Sequence, residues 1–309
     1  MRGTLRGELQ VSKVSVIIPT HNRSELLYSA ITSVLNQTFQ DFEIIVVDDC
    51  SGDNTPEIVS KLNNKRIKYI RNEINKGEAE ARNTGIMNSD SEYIAFLDDD
   101  DEWLPEKLTL QVDLLKNSPT RVGVVYSGYV EVDLTSQKIL KKRRPSKKGD
   151  IYKFLLIKNY VGVPSTVMIR RICFERIGLF DKMIPYPTDY DLWIRISKEF
   201  YFEYIEKPLV KYHIHKNNIS ANAKTRIRGI ELMLERYSNI FSSNRKAYSQ
   251  YHIRLGVLYC SSENTKKGRK CFLSAMRIYP AEIRSFFLLL LSFLGTNNFR
   301  RLQNFMKRF

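Results

Sequence analysis

Residues 93–103 read Tyr-Ile-Ala-Phe-Leu-Asp-Asp-Asp-Asp-Glu-Trp. An apolar run of the kind that fills a buried strand ends in four consecutive carboxylates, Asp98 to Asp101. Four adjacent like charges repel one another and cannot be buried unpaired. Hard divalent cations take oxygen ligands, and Mg²⁺ sites commonly combine one or two carboxylates with substrate phosphates. Strand ends are also where open α/β sheets place their ligands. The stretch therefore suggests a metal ion and a phosphorylated ligand. An acidic run by itself is equally well a solvated turn, so its surroundings decide.

Working outward, two more apolar runs end in polar residues. Residues 14–18, VSVII, lead into Pro19-Thr20-His21-Asn22, and residues 43–47, EIIVV, lead into Asp48-Asp49. Each reads as a buried strand. Between them, apolar positions 26, 27, 30, 31, 34 and 35 form one face of a helix that Ser24 can cap. Thr55 as N-cap with Pro56 at the first helical position starts a second helix. Residues 67–70 predict a third strand, Asn75-Lys76-Gly77 a turn, and 78–88 a helix before the strand at 93–97. Strands alternating with helices of this length imply βαβ units and a mostly parallel sheet. Parallel strands place the three polar ends on one rim. The alternative for Asp48-Asp49 is that the pair merely caps the following turn. No GxGxxG is present, so a dinucleotide fingerprint is absent.

Farther along, Pro105 predicts a helix start running to about residue 116, followed by a strand at 122–126. The basic cluster KILKKRRPSKK at 138–148 reads as an exposed loop. A helix over 151–158, a strand at 165–169 and a helix beginning at Thr188 come next. Thr188-Asp189-Tyr190-Asp191 carries two carboxylates into a helix first turn, where the macrodipole favours anions. Asp189 at the tip is the freer of the two to face a cleft, although a plain N-cap role explains the same residues.

With 309 residues and 43% hydrophobic content, the chain holds one large domain or two smaller ones. The N-terminal residues lack the apolar segment of a signal peptide, and the longest apolar run, Phe286 to Leu294, is too short to span a bilayer. Four cysteines without metal-binding spacing fit a reduced cytoplasm. The net charge of +15 is uneven: residues 224–309 carry 17 Lys+Arg against 4 Asp+Glu. A basic region of this kind meets nucleic acid, anionic lipid or an acidic partner.

The series VSVIIPTHNR, IIVVDDCSGDNT, ARNTGI, YIAFLDDDDEW and TDYDLWIRI, in this order over residues 13–220, resembles the family-2 glycosyltransferases of GT-A fold. The resemblance implies an α/β fold with a Rossmann-like mixed sheet flanked by helices, and an all-helical C-terminal extension. It divides the chain into a tail (1–13), a catalytic domain (14–223) and a basic helical region (224–309). Within the domain, 14–116 is the nucleotide-binding half and 117–223 the acceptor-binding half. It further implies sugar transfer from a nucleotide-diphosphate sugar, a UDP-sugar foremost, to a glycan or lipid-linked acceptor in cell-surface polysaccharide or glycoconjugate assembly.

By position, the resemblance places Pro19, Thr20 and Asn22 at the nucleotide pocket, Asp49 on the base, and Lys76 and Arg82 near nucleotide or diphosphate. Asp98, Asp99 and Asp100 match the DXD-type element. Asp100 is the expected Mn²⁺ or Mg²⁺ ligand, with Asp98 and Asp99 holding ribose or water on the metal. Asp189 matches the general base, although Thr188 stands where many relatives have Glu. Asp191 competes for that role from the helix flank. His215 is a further candidate metal ligand within the segment that closes the domain, and Trp103 is expected to pack beside the site.

Such a transfer needs a Lewis acid for the leaving diphosphate and a separate carboxylate to take the acceptor proton. Two alternatives use some of the same features. A sugar nucleotidyltransferase also handles nucleotide and metal, but normally through a Gly-rich loop that PTHNRSE lacks. A basic nucleic-acid-binding protein would fit the net charge, but no aromatic RNA-binding motif accompanies it, and the acidic run repels phosphate. No nucleic-acid partner is therefore expected. In the tail, Leu255-Gly256, Tyr259, Gly268, Phe272, Ala275 and Pro280 resemble one tetratricopeptide-like hairpin. The apolar and basic residues of 284–309 suit an anionic membrane surface or, alternatively, a homodimer contact. The expected location is cytoplasmic, peripheral on the cytoplasmic face of the membrane.

Overall fold

The computed structural model describes residues 12–215 and 222–306. Most of the tail (1–13), the Asn218-Ile219-Ser220 segment and Lys307-Arg308 lie outside the described residues. The chain divides into two compact units: residues 1–151, 160–180 and 195–215 form one, and 152–159, 181–194 and 216–309 the other. The second unit thus takes in 152–159, 181–194 and 216–223 from within 14–223.

The first unit is built on a nine-stranded sheet. Its first half alternates as the apolar pattern suggests: β1 (Val14–Thr20), α1 (Ser24–Leu35), β2 (Phe42–Asp48), α2 (Thr55–Lys61), β3 (Ile67–Arg71), α3 (Glu78–Met87) and β4 (Tyr93–Phe96). Strands β1, β2 and β4 are buried along nearly their whole length. Continuous Val/Ile runs suit that position, because helices cover both faces of a parallel sheet. The second half contributes β5 (Glu102–Trp103), α4 (Lys107–Lys116), β6 (Val122–Asp133) and β7 (Ile139–Arg143). After α5 (Tyr152–Leu155), which belongs to the other unit, come β8 (Val167–Arg170) and α6 (Arg171–Ile177). Then α7 (Thr188–Ile196), whose residues up to Ile194 belong to the other unit, leads to β9 (Tyr201–Ile214).

The strand order is β3-β2-β1-β4-β8-β6-β9-β5, with β7 on β6. Pairings β1–β2, β1–β4, β2–β3 and β6–β9 are parallel. Pairings β4–β8, β5–β9, β6–β7 and β6–β8 are antiparallel. The sheet is therefore mixed rather than mostly parallel. The register aligns Thr20 with Asp48 and Ile17 with Phe96, so the ends of β1, β2 and β4 share one rim.

Several local expectations are corrected. Pro105 does not begin a helix: a two-residue strand precedes it and α4 starts at Lys107. The helix expected over 151–158 is only the four residues of α5. Residues 164–166 form a 3-10 turn, so the strand starts at Val167. Ser24 and Thr55 are first helical residues rather than caps. The basic loop contains β7, an exposed edge strand, because β6 outruns β8 and pairs with the chain folding back on it. Edge strands are commonly charged in this way, which blocks further pairing.

The second unit is helical: α8 (Ala223–Arg236), α9 (Ser238–Ser243), α10 (Arg245–Ser261), α11 (Thr265–Ile278), α12 (Ile283–Leu291) and, after a 3-10 turn at Ser292–Leu294, α13 (Gly295–Met306). Helices α10 and α11 form a hairpin whose close approach requires Gly256 and Gly268. A Cβ at Gly268 would lie 2.8 Å from the Gly256 carbonyl oxygen. Ile253, Cys260, Phe272, Ala275, Leu288 and Phe299 make the core. All four cysteines are free thiols. Among the described residues no helix is long and apolar enough to cross a membrane.

Candidate active site

The rim at the ends of β1 and β4 gathers most of the expected residues of the first unit. Thr20 donates from Oγ1 to Asp99 Oδ2 at 2.8 Å. Arg23, just before α1, bridges two carboxylates: Nη1 lies 3.0 Å from Asp99 Oδ1 and 2.9 Å from Asp100 Oδ2. Arg82, which is 1% exposed, reaches from α3 to Asp98 Oδ1 at 2.6 Å and also pairs with Glu78. His215, at the end of β9, places Nε2 2.9 Å from Asp100 Oδ2. The neighbouring His213 donates from Nδ1 to the Asp100 carbonyl at 2.7 Å.

The four aspartates have separate fates. Asp101 is 1% exposed and accepts from Ser165 Oγ at 2.5 Å and from the His213 N–H at 3.2 Å. It is a buried structural carboxyl. Ser165 also accepts from the Asp98 N–H at 3.1 Å, and its carbonyl takes the Trp103 indole N–H at 2.8 Å. Trp103 thus packs beneath the aspartates as a support.

The electrostatics follow from burial. Among the described residues, Asp98, Asp99, Asp100 and Glu78 pair with two guanidiniums, those of Arg23 and Arg82, and Asp101 lies beside them. Burial pushes Asp98 up to about 6 despite Arg82. Burial, and then repulsion from Asp100, push Asp99 up to about 7 despite Arg23. Asp101 is raised well above the usual carboxylate range by burial and by its neighbours Asp100 and Asp98. Burial works against the charge of Arg23, but Asp99 and Asp100 outweigh it and raise its pKa. Among the described residues the carboxylates thus outnumber the cations paired with them, a condition that a divalent cation or a cationic side chain corrects.

The donor set fits such a cation in type, since an Asp100 oxygen and a His215 imidazole nitrogen lie side by side, 2.9 Å apart. Among the described residues no three His, Cys, Asp or Glu groups converge on one metal position. A cation here would draw its remaining ligands from water or phosphate, as Mg²⁺-type sites do.

A second group surrounds the loops after β2 and β3. Asp49 accepts from Asn72 Nδ2 at 2.8 Å, from the Lys76 N–H at 3.0 and 3.1 Å, and from the Gly77 N–H at 2.7 Å. Its carboxylate therefore also holds the 72–77 turn. The Lys76 residue is exposed. Asp48 is buried and accepts from the Ser51 N–H at 2.8 Å and from the Tyr69 hydroxyl, so it shapes the turn. Asn22 adopts a left-handed φ of 55° and accepts the Gly52 N–H at 2.7 Å. His21 donates from Nδ1 to the Asp49 carbonyl at 2.8 Å, which leaves its Nε2 to accept from Asn22. Pro19 is buried in β1 beside these turns.

Asp189 and Asp191 belong to the second unit. Asp191 does not sit on an open helix flank. It is fully buried and accepts from Arg236 Nη1 at 3.0 Å and from the Tyr237 hydroxyl at 2.7 Å. Asp189, two residues earlier in the first turn of α7, is partly exposed. The approach of α8 to the chain before α7 is close: a Cβ at Gly229 would lie 1.4 Å from the Tyr186 carbonyl oxygen, so only glycine fits.

Arg23, Ser165 and His213 were not among the expected site residues. A basic residue after PTHN at a helix start reads as solvated. Only the pairing of distant segments shows that Arg23 and Ser165 meet the aspartates.

The model of "Glycosyl transferase family 2" matches residues 15–178. An uncharacterized glycosyltransferase of Rickettsia prowazekii is 33% identical over 233 residues, covering 74% of this chain and 70% of its own. The Escherichia coli protein WfgD, a UDP-Glc:alpha-D-GlcNAc-diphosphoundecaprenol beta-1,3-glucosyltransferase, is 34% identical over 212 residues, 68% of this chain and 80% of its own. Among solved structures, S. aureus TarS 1–349 in complex with UDP superposes with a TM-score of 0.56 at 20% identity, over 86% of this chain and 89% of that one. The Pyrobaculum calidifontis mannosyltransferase PcManGT, in complex with GDP-Man and Mn²⁺, gives 0.59 at 18% identity, over 87% and 76%. The mixed sheet with its flanking helices is thus the GT-A fold, followed here by C-terminal helices. On these matches the chain belongs to glycosyl transferase family 2, and it is an enzyme that transfers a sugar.

Proposed function

We propose that this enzyme is an inverting glycosyltransferase that moves a sugar from a UDP-sugar to a hydroxyl of a lipid-diphosphate-linked glycan. The observation that carries the reading is the rim itself: Asp98, Asp99 and Asp100, Arg23, Arg82 and His215, gathered where β1 and β4 end. Relatives support the substrates. WfgD is named for a UDP-linked donor and a diphosphoundecaprenol-linked acceptor, and TarS was crystallised with UDP.

In this reading Pro19, Thr20 and Asn22 line the nucleotide pocket, while Asp49 and the 72–77 turn it holds receive the base. Arg23, Arg82 and Lys76 supply positive charge toward the diphosphate. Asp100 and His215 are the residues that would hold Mn²⁺ or Mg²⁺, with Asp98 and Asp99 serving ribose and metal-bound water. When bound, such a cation stabilises negative charge on a leaving diphosphate. Asp189 takes the acceptor proton as the hydroxyl oxygen attacks the anomeric carbon and the bond to the diphosphate breaks, inverting that centre. Asp191 is unsuited to this task, because Arg236 and Tyr237 already hold it.

The test is incubation of the full chain with UDP-glucose or UDP-GlcNAc and a synthetic GlcNAc-diphosphate-lipid acceptor, with Mn²⁺. The expected product carries one added sugar whose anomeric configuration, read by NMR coupling constants, is opposite to the donor's. A product with retained configuration would contradict the single-displacement reading.

A further inference from the structure

Helix α12 is apolar on both sides: Leu288 is buried in the core with Leu289 and Leu291 packed against it, yet a second apolar face is left outside. Ser285 within the helix and Ser292 just after it are fully buried, while Ile283, Phe286, Phe287, Leu290, Phe293 and Leu294 are between 46% and 65% exposed. The buried hydroxyls are satisfied within the chain: Ser285 donates to the Glu282 carbonyl at 2.7 Å and Ser292 to that of Leu289 at 2.6 Å. Ile283, Phe286, Phe287 and Leu290 recur at helical spacing and share one face. Phe293 and Leu294 are exposed in the 3-10 turn that follows. Scattered exposed apolar residues are ordinary, but a contiguous stripe with two phenylalanines at its centre marks an interaction surface.

Charge selects the occupant. Residues 283–309 contain no Asp or Glu and include Arg284, Arg300, Arg301, Lys307 and Arg308. Arg284 and Arg301 are exposed, and the guanidinium of Arg269 sits 4.1 Å over the Phe293 ring. Nine residues of helix extend only about 14 Å, against a hydrocarbon core of about 30 Å, so α12 can lie in an interface but not span it. Aromatic and aliphatic side chains ringed by arginine suit the headgroup boundary of an anionic bilayer. We infer that the outer face of α12 docks the enzyme on an anionic membrane surface. The inference goes beyond sugar transfer and does not depend on the identity of donor or acceptor.

The test is flotation of the full chain with vesicles of phosphatidylglycerol and phosphatidylcholine in equal parts, or of phosphatidylcholine alone. The expected result is flotation with the anionic vesicles. It should fall about tenfold or more in F286S/F287S/L290S, with the melting temperature and UDP binding unchanged. R284Q/R301Q should lose about tenfold of the binding to anionic vesicles while leaving the weak binding to phosphatidylcholine alone. Equal flotation of the serine variant and the parent would overturn the inference. So would a parent that fails to float and behaves in solution as a dimer, if the serine substitutions split that dimer, because a second copy would then cover the stripe. UDP binding, read in parallel, keeps this outcome separate from the sugar-transfer reading.

Discussion

The acidic rim of the sheet and the outer face of α12 break the same rule in opposite directions. The rim buries charge: Asp99, Asp100 and Asp101 are each at most 7% exposed. Helix α12 exposes apolar surface and buries serine. Both arrangements cost folding free energy, and each cost indicates the kind of partner that relieves it. At the rim the missing element is positive charge, in part supplied by Arg23 and Arg82. On α12 it is an apolar phase edged by anions. A similar contrast separates the two carboxylates of α7, where Asp191 is committed to Arg236 and Tyr237 while Asp189 lies partly exposed at the tip.

The largest expected effect tests that last contrast. Asp189→Asn should lower the transfer rate by about 10²–10⁴-fold, the usual contribution of a general base, while UDP still binds. Steady-state kinetics with a saturating donor would show this. Full activity would mean that the acceptor proton goes elsewhere.

Next in size is Asp191→Ala, which should act on stability rather than chemistry. It removes the 2.7 Å carboxylate acceptor of the buried Tyr237 hydroxyl, leaving the residue 191 carbonyl at 3.5 Å, and it removes an ion pair whose Arg236 side chain is 38% exposed and partly screened. A loss of about 2–3 kcal/mol is expected, read by urea denaturation. A stability equal to the parent's would show that the pair adds nothing.

How far these roles could be read from the chain depends on sequence distance. Strands β1, β2 and β4 were legible because a fully buried strand is a continuous apolar run. Strand β9 was not anticipated: YFEYIEKPLVKYHI is half-buried, mixes charge with apolar residues and contains Pro208. Its loss also hid His213, whose backbone and ring hold the rim. The acidic run and Asp189 could be picked out by composition and by resemblance. Which carboxylate is structural could not, because Asp101 is decided by Ser165, 64 residues away, and Asp191 by Tyr237, 46 residues away. The exposed apolar face of α12 was half legible: the apolar run was plain, but not that Leu288 would turn inward while Phe286, Phe287 and Leu290 stay outside.

The smallest effect concerns pH and lies in the helical unit. Burial lowers the pKa of His252 below its ordinary value of 6.5. The folded chain therefore binds a proton less readily than the unfolded one. This contribution to stability is fully present above pH 6.5 and is lost as pH falls from there toward the folded pKa. His252→Gln should flatten the fall in melting temperature between pH 6.5 and 5 (about one proton per molecule at most). An unchanged pH profile would assign the dependence to other groups.

We propose the rim around Asp100 as the metal-dependent diphosphate site. Calorimetric titration of UDP into the wild type and Asp100→Asn, each with Mn²⁺ and with EDTA, tests it directly. UDP binding by the wild type should weaken at least about tenfold in EDTA, and binding by Asp100→Asn should be weak and indifferent to Mn²⁺. Mn²⁺-dependent binding of wild-type strength in Asp100→Asn would contradict it.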